Sequence, residues 1–173
     1  MAMQYIDVSC TYIQSEGLKY AVDSNLESSS IGMIKKDKVA HATYMNDTRV
    51  AFIASQTANP FISNTHFVPK SGISIISTAN SGTNNDGIYD DYYEDMLAIS
   101  ADGRNAPKWV DSHSRLDEHL EISKPDYFMA FQMPTTKKFA YIVIDIKEDT
   151  LRTLLEDIDF GNRSITGFVT QSG

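Results

Sequence analysis

The sequence predicts an α+β domain built on a mainly antiparallel five-stranded sheet. Three observations point to it. Apolar residues recur at helical spacing through the first third of the 173-residue chain. A strand-turn-strand pattern follows at 61–78. The last third carries two strongly apolar strands, an amphipathic helix and a closing strand.

In the first third, Tyr12, Ile13, Leu18, Val22 and Leu26 share one loose helical pattern, and Ile34, Ala42, Met45, Val50 and Ile53 share another. The run "NLESSSIG" at 25–32 weakens the periodicity between them. This leaves one long helix with a soft middle, or two consecutive helices. A continuous helix would be roughly 75–80 Å long, more than one small domain spans. Asn59-Pro60 stops it, because the residue before proline avoids the α region. The chain therefore divides into a helical part over 1–58 and a sheet-bearing module over 59–173.

"FISNTHFV" (61–68) alternates apolar and polar residues, "PKSG" (69–72) turns, and "ISIIST" (73–78) is a second strand. "ANSGTNNDG" (79–87) is a polar loop, and "IYDDYYEDMLAI" (88–99) suits a short helix. From 100 to 124 the chain is irregular, with a short helix expected around "SRLDEHLE". "DYFMAFQM" (126–133) is apolar on both faces and predicts a central strand. "FAYIVIDI" (139–146) is the next strand. Asp149 can cap a helix bearing Leu151, Leu154, Leu155 and Ile158, Gly161 ends it, and "SITGFVT" (164–170) closes the sheet.

Hydrophobic residues make up 42% and charged residues 22%, ordinary for a globular domain. The net charge of −8 argues against a nucleic-acid or anionic-membrane partner. No stretch approaches the roughly 20 apolar residues of a membrane span. Met1-Ala2-Met3 begins no signal peptide, and the chain reads as a piece cut from a longer protein. The single cysteine, Cys10, excludes an internal disulfide and a cysteine-rich zinc site.

The histidines are His41, His66, His113 and His119. His41 falls on the helix and His66 on a strand, with no convergence on the other two expected. His113 and His119 are six residues apart, not the three or four that align two ligands on one helical face. No metal site and no cofactor are expected. "DSHS" (111–114) places serine, histidine and aspartate side by side, but triads assemble from distant segments, and no G-x-S-x-G turn is present. "DDYYED" (90–95) lacks the ladder of a calcium loop. No group of residues assembles a nucleophile, base and oxyanion site, so an enzyme is not expected.

Asp145 is the residue that needs explaining. On its strand, Tyr141, Val143 and Asp145 share one face, with Ala140, Ile142, Ile144 and Ile146 on the other. An ionised carboxylate left unpaired there would cost several kcal/mol. Its partner is backbone N–H, a neighbouring basic side chain, or the ammonium of a ligand. Trp109 stands apart among the aromatics, since it lies in the irregular crossover, where loops commonly supply binding groups.

"ANPFISNTHFVPKSGISIIST", "IYDDYYED", "KWVDSHSRLDE" and above all "AYIVIDIKEDTLRTLLEDIDFGNRSITGFVTQSG" resemble the extracytoplasmic Cache sensor domain of bacterial methyl-accepting chemotaxis proteins. The match is to the membrane-distal, PAS-like half of a double Cache domain and covers essentially the whole chain. It implies a PAS-like sheet with the long helix on one side and a ligand pocket under the crossover loops on the other. It also implies a small polar metabolite as ligand, such as an amino acid or amine, and dimerisation through the long helices. The parent protein would be anchored in the membrane, with this module on its extracytoplasmic face. In amino-acid-binding relatives an aspartate at the position of Asp145 anchors the ligand's ammonium group. Their arginine two residues before a tryptophan is not matched: Pro107 precedes Trp109 at that spacing, and the nearest arginine is Arg104. The candidate ligand-binding set is Asp145, Trp109, Tyr127, Tyr89, Tyr93, His113 and Met129. The same module could equally serve a histidine kinase or a diguanylate cyclase, or act as a structural module without a ligand.

Overall fold

The computed structural model describes residues 17–23, 36–69, 75–79, 108–135 and 140–149. Residues 17–23 are helical and bury Leu18 and Val22. The main helix, α1 (Lys38–Ala58), begins at Asp37, whose backbone is extended at φ −104° and ψ 114°. The Asp37 carboxylate accepts hydrogen bonds from the N–H groups of Val39, at 2.8 Å, and Ala40, at 3.3 Å. These are among the donors that the first turn of a helix leaves unpaired. A continuous helix through this point is therefore excluded. The soft run at 25–32 lies outside the described residues.

α1 ends where the sequence stops it. Asn59 turns extended, its N–H donates to the Ser55 carbonyl, and its side chain accepts from the Phe61 N–H at 2.9 Å. Tyr44, Thr48 and Phe52, four residues apart, form the buried face of α1 together with Met45. Gln56 donates to the Ser63 carbonyl and ties the last turn to the sheet.

The strands are β1 (Ile62–Pro69), β2 (Ile76–Ser77), β3 (Lys108–Val110), β4 (Met129–Pro134) and β5 (Ala140–Ile146). A second short helix, α2 (Ser114–His119), lies between β3 and β4. The sheet order is β2-β1-β5-β4-β3, and every pairing among the described residues is antiparallel. All seven residues of β5 are buried, as its central place between β1 and β4 requires.

Alternation along the strands sorts the core into two halves. One face carries Phe67, Phe131, Met133, Ile142, Ile144 and Ile146, packed with Tyr44, Met45 and Phe52 of α1. The other carries Val68, Ala130, Tyr141 and Val143, packed with Ile75 and with Leu116 and Leu120 from α2 and its end. The sheet is thus covered by α1 on one side and by the crossover on the other.

One expectation fails here. The segment around Trp109 is a strand, β3, at the edge of the sheet among the described residues, and not irregular crossover. Three residues between Pro107 and Asp111 are too few to show a strand period, and only pairing with β4 reveals them. The helices expected at 88–99 and after Asp149, and the strand expected at 164–170, lie outside the described residues. No described helix is long and apolar enough to cross a membrane.

Candidate functional site: a buried His–Asp–His cluster

Asp145 is fully buried on β5 and bridges two imidazoles. Its Oδ2 lies 2.9 Å from His66 Nε2, and its Oδ1 lies 2.6 Å from His113 Nε2. His66 is fully buried and His113 is 4% exposed. Of the three classes of partner open to this carboxylate, neighbouring basic side chains are the ones it has.

Strand register explains His66. It stands opposite Val143 on β5, so its side chain shares the face of Val143 and Asp145 and reaches the aspartate on the diagonal. On its other side His66 pairs with Ser77 of β2, whose Oγ lies 2.9 Å from His66 Nδ1. The Ser77 oxygen also accepts the Ala79 N–H at 3.0 Å. That bond leaves the Ser77 hydroxyl proton available to His66 Nδ1, which suits a tautomer donating from Nε2 to Asp145.

His113 occupies the N-cap position of α2 and points back over the sheet. One turn on, Asp117 brings Oδ1 to 3.1 Å from His113 Nδ1, close but off the line of the ring N–H. Tyr127 completes the group. Its hydroxyl donates to Asp117 Oδ2 at 2.7 Å and lies 3.3 Å from His113 Nδ1. The same oxygen accepts the His113 backbone N–H at 3.1 Å, and the two rings stack with centroids 4.5 Å apart. The end of α2 fixes Asp117 in turn. Glu121 takes the left-handed conformation, φ 57°, which carries the Ile122 N–H back to the Asp117 carbonyl at 2.8 Å.

Electrostatics follow from this enclosure. Burial alone would lower the pKa of His113, but contact with Asp117 and Asp145 and their negative charges outweigh it and raise it to about 9. Burial would raise Asp145, but the electrostatic interaction with His66 and the hydrogen bonds from both histidines hold it down at about 2. Burial, with the bond to Asp117, pushes the Tyr127 phenol far above its usual range. At neutral pH the centre is therefore a carboxylate against an imidazolium, with a second carboxylate behind.

The structure brings Asp145, His113 and Tyr127 of the expected set together. It does not bring Trp109 or Met129 to them. Trp109 is in register with Phe131, and Phe131 with Ile144, so all three lie on the α1 face. Its ring packs on Phe131 at 5.1 Å. Met129 is in register with Ile146 and shares that face. Tyr89 and Tyr93 lie outside the described residues.

The expectation that His66 and His113 do not converge is overturned, because the spacing test compared histidines along one helix. These two reach a common carboxylate from different elements. His66, Asp117 and Ser77 are the members that sequence reasoning missed. The four-residue step from His113 to Asp117, at the start of a short helix, was the signal for one of them.

Ser77, His66 and Asp145 have the composition of a hydrolytic triad. Ser77, however, is buried and its oxygen already accepts the Ala79 N–H, so this hydroxyl orients a ring. No family model, no curated protein and no solved structure matches this chain.

Proposed function

We propose that this chain is a PAS-like sensor module of a bacterial chemotaxis receptor, held on the extracytoplasmic side of the membrane. It is a binding module and not an enzyme, and it reads a small polar metabolite on the crossover face of the sheet. One observation carries this reading: a buried, titratable cluster between sheet and crossover is centred on Asp145. The two-sided cover of the sheet, by α1 and by the crossover, supports the PAS-like plan. The resemblance noted above supplies the receptor class.

The mechanism follows from where His113 sits. Both oxygens of Asp145 are engaged by imidazoles, so an ammonium or amide donor reaches the carboxylate by displacing His113. His113 is the N-cap of α2, so its release removes the polar tie between the start of α2 and the sheet, leaving Leu116 and Leu120 to hold the helix. The ligand's differential affinity for the two crossover positions then becomes the signal. The outward side of α1 exposes Val39, Val50 and Ile53 in one stripe, which fits a second copy of the chain packed helix to helix.

A thermal-shift screen of amino acids, amines and organic acids in the presence of EDTA tests the reading. A cognate compound is expected to raise the melting temperature, and Asp145→Asn to abolish the rise. The same compound should shift the monomer–dimer equilibrium in sedimentation. A second reading, a module without a small-molecule ligand, is favoured by the full engagement of both Asp145 oxygens. A screen in which no compound moves the melting temperature selects that reading.

A further inference from the structure

We propose that His66, His113 and Asp145 form a binding site for a zinc-class divalent metal ion. Their ligand atoms all lie within 4.8 Å of one another, and all three residues are buried. Both histidines turn the same ring nitrogen, Nε2, toward the one carboxylate. Two imidazoles and a carboxylate are the donor set that suits zinc, with one tetrahedral position left for water or an exogenous donor. This inference does not rest on the sensor reading above.

The outer groups are placed as a metal site needs them. A metal-bound histidine is oriented by a partner on its other ring nitrogen, commonly a carboxylate. His113 Nδ1 has Asp117 at 3.1 Å and the Tyr127 hydroxyl at 3.3 Å, and His66 Nδ1 has Ser77 at 2.9 Å. The Tyr127 hydroxyl gives its own proton to Asp117, so toward His113 it can only accept. That keeps a proton on His113 Nδ1, so the Nε2 proton is the one a metal ion would replace. A nitrogen and a carboxylate oxygen at 2.6 Å require a positive particle between them, and a metal ion can take the proton's place.

Charge and geometry agree. Asp145 and Asp117 bring two negative charges into a buried region, and a divalent ion with two neutral imidazoles cancels both. Tetrahedral zinc spaces its nitrogen and oxygen ligands about 3.3–3.4 Å apart. The two imidazole–carboxylate distances, 2.6 Å to Oδ1 and 2.9 Å to Oδ2, have to open by less than an ångström, and the three ligand atoms, now within 4.8 Å of one another, have to settle at that spacing around one oxygen. The ion would join β1, β5 and the start of α2, clamping the crossover to the sheet.

Cobalt(II) titration of the wild-type chain, stripped with chelator beforehand, is the test. One equivalent is expected to bind with the visible absorption bands of low-coordinate cobalt, and zinc should remove them. His66→Ala, His113→Ala and Asp145→Asn should each abolish the bands, with circular dichroism reporting whether the variant is folded. The pair His41→Ala and His119→Ala should leave them intact. Asp117→Asn touches no metal and should weaken zinc binding about 10- to 100-fold at unchanged stoichiometry. Absence of cobalt bands in the folded wild type overturns the proposal, and so does binding that disappears with His41 and His119. The sensor screen is run in EDTA, so the two readings fail separately.

Discussion

Asp145→Ala is expected to lower the unfolding free energy by about 3–5 kcal/mol, read from urea denaturation in the presence of a chelator. The loss has a specific origin. Asp145 is fully buried, and both imidazoles that meet it are buried as well. Removing the carboxylate leaves two buried polar rings without their shared acceptor. Breaking a buried ion pair costs far more than the net worth of the intact pair, because the remaining charge stays desolvated. Domains of this kind have about 5–15 kcal/mol in total, so the variant would be close to its threshold. The crossover should loosen first, seen as faster amide exchange at Leu116 and Leu120. A loss below about 1 kcal/mol would show that these groups are not paired in this way.

Phe52→Ala is the second large effect, at about 3–5 kcal/mol. Phe52 is fully buried and seats α1 against the sheet among Phe67, Ile142 and Ile144. Truncation removes an aromatic ring from the middle of that layer and leaves a cavity that a strand-backed site cannot collapse. Val50, two residues away on α1, is 57% exposed. Val50→Ala should stay within about 0.5 kcal/mol. Equal effects from the two changes would contradict the placement of α1.

The fold was legible where residues obey a local period. The apolar run of β5 and the alternation of β1 mark central, paired strands, and Asn59-Pro60 marks the end of α1. β3 escaped because its three residues carry no period and exist as a strand only through the partner β4. The start of α1 was blurred, because Asp37 sits in a lysine-flanked run where a capping aspartate looks like any surface charge.

The candidate site was half legible. Periodicity put Asp145 on a face with Val143, and the structure keeps it there. Its partners were not readable, because His66 and His113 lie 79 and 32 residues away in sequence. Only strand register and the path of the crossover bring them together. Trp109 was placed on the wrong side for the same reason: a loop residue has no face, whereas in β3 its face is fixed by Phe131.

One contact, between Asp145 and His113, ties the start of α2 to the central strand of the sheet. A double-mutant cycle with Asp145→Ala and His113→Ala, measured by urea denaturation in chelator, tests it most directly. Contact predicts a coupling of about 1–3 kcal/mol, the double variant losing much less than the sum of the single ones. Additivity within about 0.5 kcal/mol would mean that the two residues do not meet, and would contradict the account.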